Sequence, residues 1–233
     1  MSEWWTYTLA DFLLFSPRVY YRLFELHNQA LWPLQLLALA VGFVLVLLVA
    51  RRPRGHGRLI AGLLAALWLF VGWSFFWTRY ATINWAAAYV APVFALEVLL
   101  LLAIGGLSDR LTFDRLGVAR WVGALFVAFA LAVQPMLAPL LGRPWIAAEI
   151  FGIAPDPTAI GTLGFLLLAR GRLSALLFPI PVLWCVASGM TLWTMGAPEA
   201  WVSLGAAALA IAAAVWTAIA RRRESSGGPS AAG

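Results

Sequence analysis

The stretch over residues 85–105, WAAAYVAPVFALEVLLLLAIG, constrains this chain more than any other. A helix needs roughly 20 apolar residues to cross ~30 Å of hydrocarbon, and this run supplies them with a single charged residue, Glu97. Comparable runs cover 31–50, 59–78, 120–141, 173–196 and 199–220. A further run, 157–169, is shorter and reaches only about 20 Å at ~1.5 Å per residue. A chain that is 63% hydrophobic and 11% charged is not a soluble domain. The expected fold is all-α: a polytopic transmembrane helix bundle of seven spans with an N-terminal amphipathic interfacial helix.

Arginine placement decides whether 157–169 crosses. All 16 basic residues are Arg. With seven crossings, twelve arginines lie on one side and four (Arg18, Arg22, Arg79, Arg143) on the other. Without the short crossing the split is seven against nine. Cytoplasmic loops collect arginine, so the seven-span arrangement is expected, with the N-terminus extracytoplasmic and the C-terminus cytoplasmic. In a bacterium this places the protein in the inner membrane. The short crossing then needs the preceding WIAAEIFGIAPD, residues 145–156, as a non-helical lead-in around 152–156 before a helix from Pro157.

The chain divides into an amphipathic extracytoplasmic interfacial segment (1–30), the bundle (31–220) and a disordered cytoplasmic tail (221–233). In the first part Thr8 and Asp11 have capping-box spacing, and Ser16-Pro17 reads as an N-cap before a first-turn proline. A helix starting there places Arg18, Arg22 and Glu25 on one face and Val19, Leu23 and Leu26 on another. Close helix packing is expected from small residues: Ala124, Ala128 and Ala132 in the fourth long span, and 205–214 in the last.

Polar residues cluster by depth. Gln35, Ser74, Asn84, Gln134, Thr158, Thr162, Ser188 and Thr191 fall in the outer halves of their spans, whereas the inner halves are close to pure hydrocarbon. That pattern suggests an outward-facing pocket above a sealed floor. Its candidate residues are Glu97, Gln134, Asp156, Asn84, Ser188 and Thr191. An ionisable residue at the depth of Glu97 is a functional candidate by default; its structural alternative is a carboxyl hydrogen-bonded to Gln134 or to a hydroxyl of the sixth run. Asp156 between two prolines reads first as a helix cap, and alternatively as a carboxylate at the pocket mouth.

Several chemistries lack their residues. His27 and His56 fall on opposite sides of the membrane and Cys185 is the only cysteine, so no metal set is visible. Ser188 has no histidine in any span to activate it, and without lysine no retinal Schiff base can form. No catalytic residue and no cofactor is expected. The arginines lie in short clusters between apolar runs, which points to the lipid bilayer as partner and not to nucleic acid. The leading expectation is a protein that binds or transports a small molecule or cation through a pocket ending at Glu97. The alternative is a non-catalytic membrane module packing against a partner protein. An enzyme acting on lipid ranks last.

The opening WWTYTLADFLLFSPRVYYRLFELHNQALWPLQ, the stretch FGIAPDPTAIGTLGFLLL and the later FPIPVLW and GAPE resemble a bacterial family of small multi-pass membrane proteins grouped as a domain of unknown function. The resemblance runs from about residue 24 to 210. It implies an integral membrane protein and carries no activity, substrate or catalytic residue with it.

Overall fold

A computed structural model describes residues 15–107, 111–113, 117–171 and 173–226. Helix α1, Pro17–Leu31, starts as the sequence suggests: the Ser16 hydroxyl accepts from the Val19 N–H at 3.4 Å and Pro17 occupies the first turn. The Thr8–Asp11 box lies outside the described residues. The buried face of α1 is largely aromatic. Tyr20, Leu23, Phe24, His27 and Asn28 point inward, while Val19 and Leu26 are exposed. Aromatic rings bury more area than Val or Leu, and here they decide the rotation. Tyr20 stacks edge-on against Tyr80 at 6.0 Å, and Phe24 packs on Phe75 at 5.1 Å.

Among the described residues six helices are long and apolar enough to cross a membrane: Leu34–Arg51, His56–Thr82, Ala87–Leu107, Val118–Leu140, Leu173–Thr194 and Ala200–Ala220. They are the six long runs of the sequence with ends moved by a few residues. The first is helix α2 (Leu34–Arg51). The second is α3 (His56–Val71), extended by the π turn Gly72–Trp77. The third is α4 (Ala87–Leu101), and the fourth joins α5 (Val118–Ala128) to α6 (Gln134–Leu140) through the π turn Phe129–Val133. Between these and the last two, α8 (Pro179–Thr194) and α9 (Ala200–Ser226), runs α7 (Pro155–Leu168). Helix α9 continues to Ser226, and 227–233 lie outside the described residues.

Contacts between loops sort the bundle into two ends. At one, α1 meets Tyr80 of the α3–α4 connection, the α6–α7 segment and Glu199 before α9. At the other, His56 packs on Phe113 at 6.0 Å, and Thr112 pairs with Arg170 through a backbone bond of 3.2 Å. Helix α7 runs from the first end to the second, and its residues from Pro155 to Leu167 are all buried. Its closest neighbour is α5. A Cβ placed on Gly123 would lie 2.7 Å from the Gly164 carbonyl, and one on Gly164 would lie 2.8 Å from the Gly123 carbonyl, so this backbone contact requires glycine on both sides. The expected stripe of Ala124, Ala128 and Ala132 is exposed instead. The faces next to it, Gly123, Val127 and Ala130, carry the packing because only a glycine permits that approach.

The lead-in to α7 is non-helical, and the helix begins at Pro155, two residues earlier than expected. A 3-10 turn, Trp145–Ala147, is followed by a tight turn closed by the Ile153 N–H on the Ile150 carbonyl at 2.9 Å. Gly152 sits in that turn at φ 79, where a side chain would be strained. Buried backbone of this kind must find partners. Asn28 supplies them: its amide donates to the carbonyls of Ile146 at 2.7 Å and Ala148 at 2.8 Å, while Gln35 donates to the Asn28 carbonyl at 2.8 Å.

Candidate functional site

The site grows from the first turn of α7. Pro155 and Pro157 both fall where an N–H would go unused, and Ala154 occupies the cap position with no side-chain bond. Asp156 is therefore inside the helix, not its cap, and its carboxylate reaches outward. Oδ1 accepts from Trp184 Nε1 at 2.8 Å; Oδ2 accepts from the Ser188 hydroxyl at 2.6 Å and the Ser203 hydroxyl at 2.9 Å. Trp184 and Ser188 are four apart on α8 and share a face, and Ser203 lies in the first turn of α9. One buried carboxylate thus ties α7 to both later helices.

Beside it is a cavity of about 10 Å³, near the volume one water needs. Glu149 of the lead-in, Glu199, Gln134 and Arg143 line it together with Asp156 and Ser203. Arg143 Nη2 lies 2.7 Å from Glu199 Oε1, which also accepts from the Tyr21 hydroxyl at 2.7 Å. The Arg143 guanidinium sits 3.9 Å above the Tyr21 ring. Gln134 reaches Glu149 by a long amide contact of 3.4 Å; among the described residues its carbonyl oxygen and Arg143 Nε have no hydrogen-bond partner. Three carboxylates thus face a single guanidinium. On α1, burial and the bond to Glu199 raise the Tyr21 hydroxyl above its ordinary range. Burial, with Arg79 adding to it, lowers His27 to about 4, so its ring is neutral at pH 7.

Of the residues singled out in the sequence, Asp156, Gln134 and Ser188 come together here. Glu97 does not. It is fully buried, neither carboxyl oxygen has a partner among the described residues, and it does not line the cavity. The expected bond to Gln134 or to an α8 hydroxyl is absent because those groups are committed elsewhere, Gln134 to Glu149 and Ser188 to Asp156. One turn before Glu97, Phe94 packs against Trp68 at 4.3 Å, Phe76 at 4.6 Å and Trp184 at 5.7 Å, so rings fill this part of the interior. Asn84 accepts from the Ala86 N–H at 3.0 Å within its own turn, and the Thr191 hydroxyl donates to the Ala187 carbonyl at 2.8 Å. Neither reaches the cluster.

Sequence reasoning passed over Glu149, Glu199, Arg143, Ser203 and Tyr21. A usable signal was present: under the seven-crossing reading, residues 143, 149, 156 and 199 all fall at one end of the bundle. Among the described residues, no group of three His, Cys, Asp or Glu side chains is placed to hold a metal ion.

A model of a family of unknown function, DUF6064, matches residues 17–225. The chain belongs to this family. No curated protein and no solved structure matches it. The DUF6064 match begins at the first residue of α1 and ends within α9, so the α1 contacts with the carboxylate cluster lie inside the family's boundaries.

Proposed function

We propose that this is a seven-crossing membrane protein that binds a small cation or a proton at the α1 end of its bundle, in a pocket ending at Asp156 and not at Glu97. The observation that carries the reading is charge balance around the one-water cavity. Glu149, Asp156 and Glu199 meet one guanidinium, and burying unmatched charge in an apolar bundle is costly. A proton restores the balance, as does a monovalent cation held by fewer than three of these carboxylates, and the Gln134 carbonyl oxygen, without a hydrogen-bond partner among the described residues, belongs to the same cavity. The passage of α7 between the two ends supports a seventh crossing. The arginine count supports an extracytoplasmic N-terminus, which would open this end to the outside. The hydrocarbon character of the other half argues for binding over conduction through the full depth.

Infrared difference spectra of purified protein, recorded from pH 5 to 9 and with sodium added, test the site. A carboxyl band that responds and disappears in Asp156→Asn is expected. A wild-type spectrum in which Asp156 responds to neither protons nor cations would sink the proposal. For topology, single cysteines in a Cys185→Ser background should label from outside at Ala197 and not at Ser226.

A further inference from the structure

At the end of the bundle away from Asp156, a second cavity of about 500 Å³ opens between α2 and α5. Its walls are apolar: Val46 and Val49 from α2, Ala124 from α5, Leu131 from the π turn that continues it, and Leu168 from α7 are representative. Two charged residues complete the lining, Arg52 at the end of α2 and Arg120 at the start of α5. Both are exposed, and neither forms an ion pair among the described residues. Since α2 ends and α5 begins at this end of the bundle, both guanidiniums mark the same mouth of the groove. From Arg120 to Leu131 the groove rises about 16 Å, close to the ~15 Å depth of one leaflet's hydrocarbon.

Arg52 carries a second signal. It closes α2 in a left-handed conformation, φ 48, donating its N–H to the Leu48 carbonyl at 3.0 Å. That position ordinarily suits Gly or Asn, and a larger residue held there costs backbone energy. The strain is explained if the guanidinium is needed at the groove mouth.

We infer that the α2–α5 groove binds one anionic phospholipid of the adjacent leaflet, with its phosphate between Arg52 and Arg120 and an acyl chain along Val46, Ala124 and Leu131. Two guanidiniums match a phosphodiester that carries net charge, and the apolar length matches a chain, whereas free phosphate would leave the groove unfilled.

Native mass spectrometry of detergent-purified protein, with phosphatidylglycerol and phosphatidylcholine added in equal amounts, tests this. Wild type should retain phosphatidylglycerol with roughly tenfold preference. Arg52→Gln/Arg120→Gln should reduce that preference to near unity. Ala128→Phe, which fills the groove and leaves both charges, should lose retention of either lipid. Excess inorganic phosphate should not displace the lipid. Preference unchanged in the double variant, retention unchanged in Ala128→Phe, displacement by phosphate, or dimers that disappear in Ala128→Phe in place of lipid adducts would each overturn the assignment. Should the double variant fail to purify, Arg120→Gln alone and Ala128→Phe give the same decision.

Discussion

Asp156 and Glu97 are both carboxylates buried in an apolar bundle, and they are built in opposite ways. Asp156 takes three donors from two other helices, with Arg143 held on Glu199 across the same small cavity. Among the described residues Glu97 has no partner on either oxygen, and it lies one turn from a ring of aromatic side chains. Burial alone therefore does not identify a site. The supply of donors from separate elements, and a space beside them that another species can enter, distinguish one position from the other.

The largest expected effect removes the better-supported carboxylate. Asp156→Ala strands two buried hydroxyls and the half-buried Trp184 N–H and opens a void, and should cost about 3 kcal/mol of stability in a reversible unfolding assay, even allowing for the modest worth of single bonds in membranes. Asp156→Asn keeps the shape and most of the bonding, and should cost about 1 kcal/mol. Equal losses for both would mean that charge and not donor satisfaction holds α7 to α8 and α9.

Acid should weaken the same end of the molecule through His27, and this contribution has to be separated from that of the carboxylates. Its pKa is about 4 when folded against 6.5 ordinarily, so the unfolded chain takes up the proton first. Stability from this group is complete above about pH 7, falls through the window from 6.5 to 4, and should be down by about 2 kcal/mol at pH 5. The fall in melting temperature across that range should be steep in wild type and shallow in His27→Gln. A wild-type profile as shallow as the variant's would show that the α1 end opens to water before the bundle melts.

The smallest effect belongs to Glu97. With no bond to lose, Glu97→Leu should fall within about 0.5 kcal/mol of wild type, on the stabilising side, and Glu97→Gln should behave alike. A loss approaching that of Asp156→Ala would break the comparison and show that Glu97 has a partner in the membrane, such as an ordered water or a bound ion.

Gln134 was legible as a candidate, but its partner was not. Helical spacing places it on a fixed face, but the π turn Phe129–Val133 adds a residue to the turn just before it. That extra residue rotates α6 by about 100°, toward Glu149. The buried face of α1 likewise depends on distant residues: Tyr20 and Phe24 turn inward onto the rings of Tyr80 and Phe75.

The amino-acid sequence by itself determined the long apolar helices, their approximate ends, the Ser16-Pro17 helix start and the broken lead-in to α7. These depend on length, hydropathy and local backbone chemistry, which are properties of contiguous residues. The tertiary structure alone decided that Asp156 serves as a junction and not a cap, that Glu199 and Glu149 join it, and that Glu97 stands apart. Those outcomes depend on which donors from other helices arrive within 3 Å, and on a glycine contact between α5 and α7 that sets how closely the helices approach. No periodicity along the chain encodes a distance between residues 47 positions apart, such as Asp156 and Ser203.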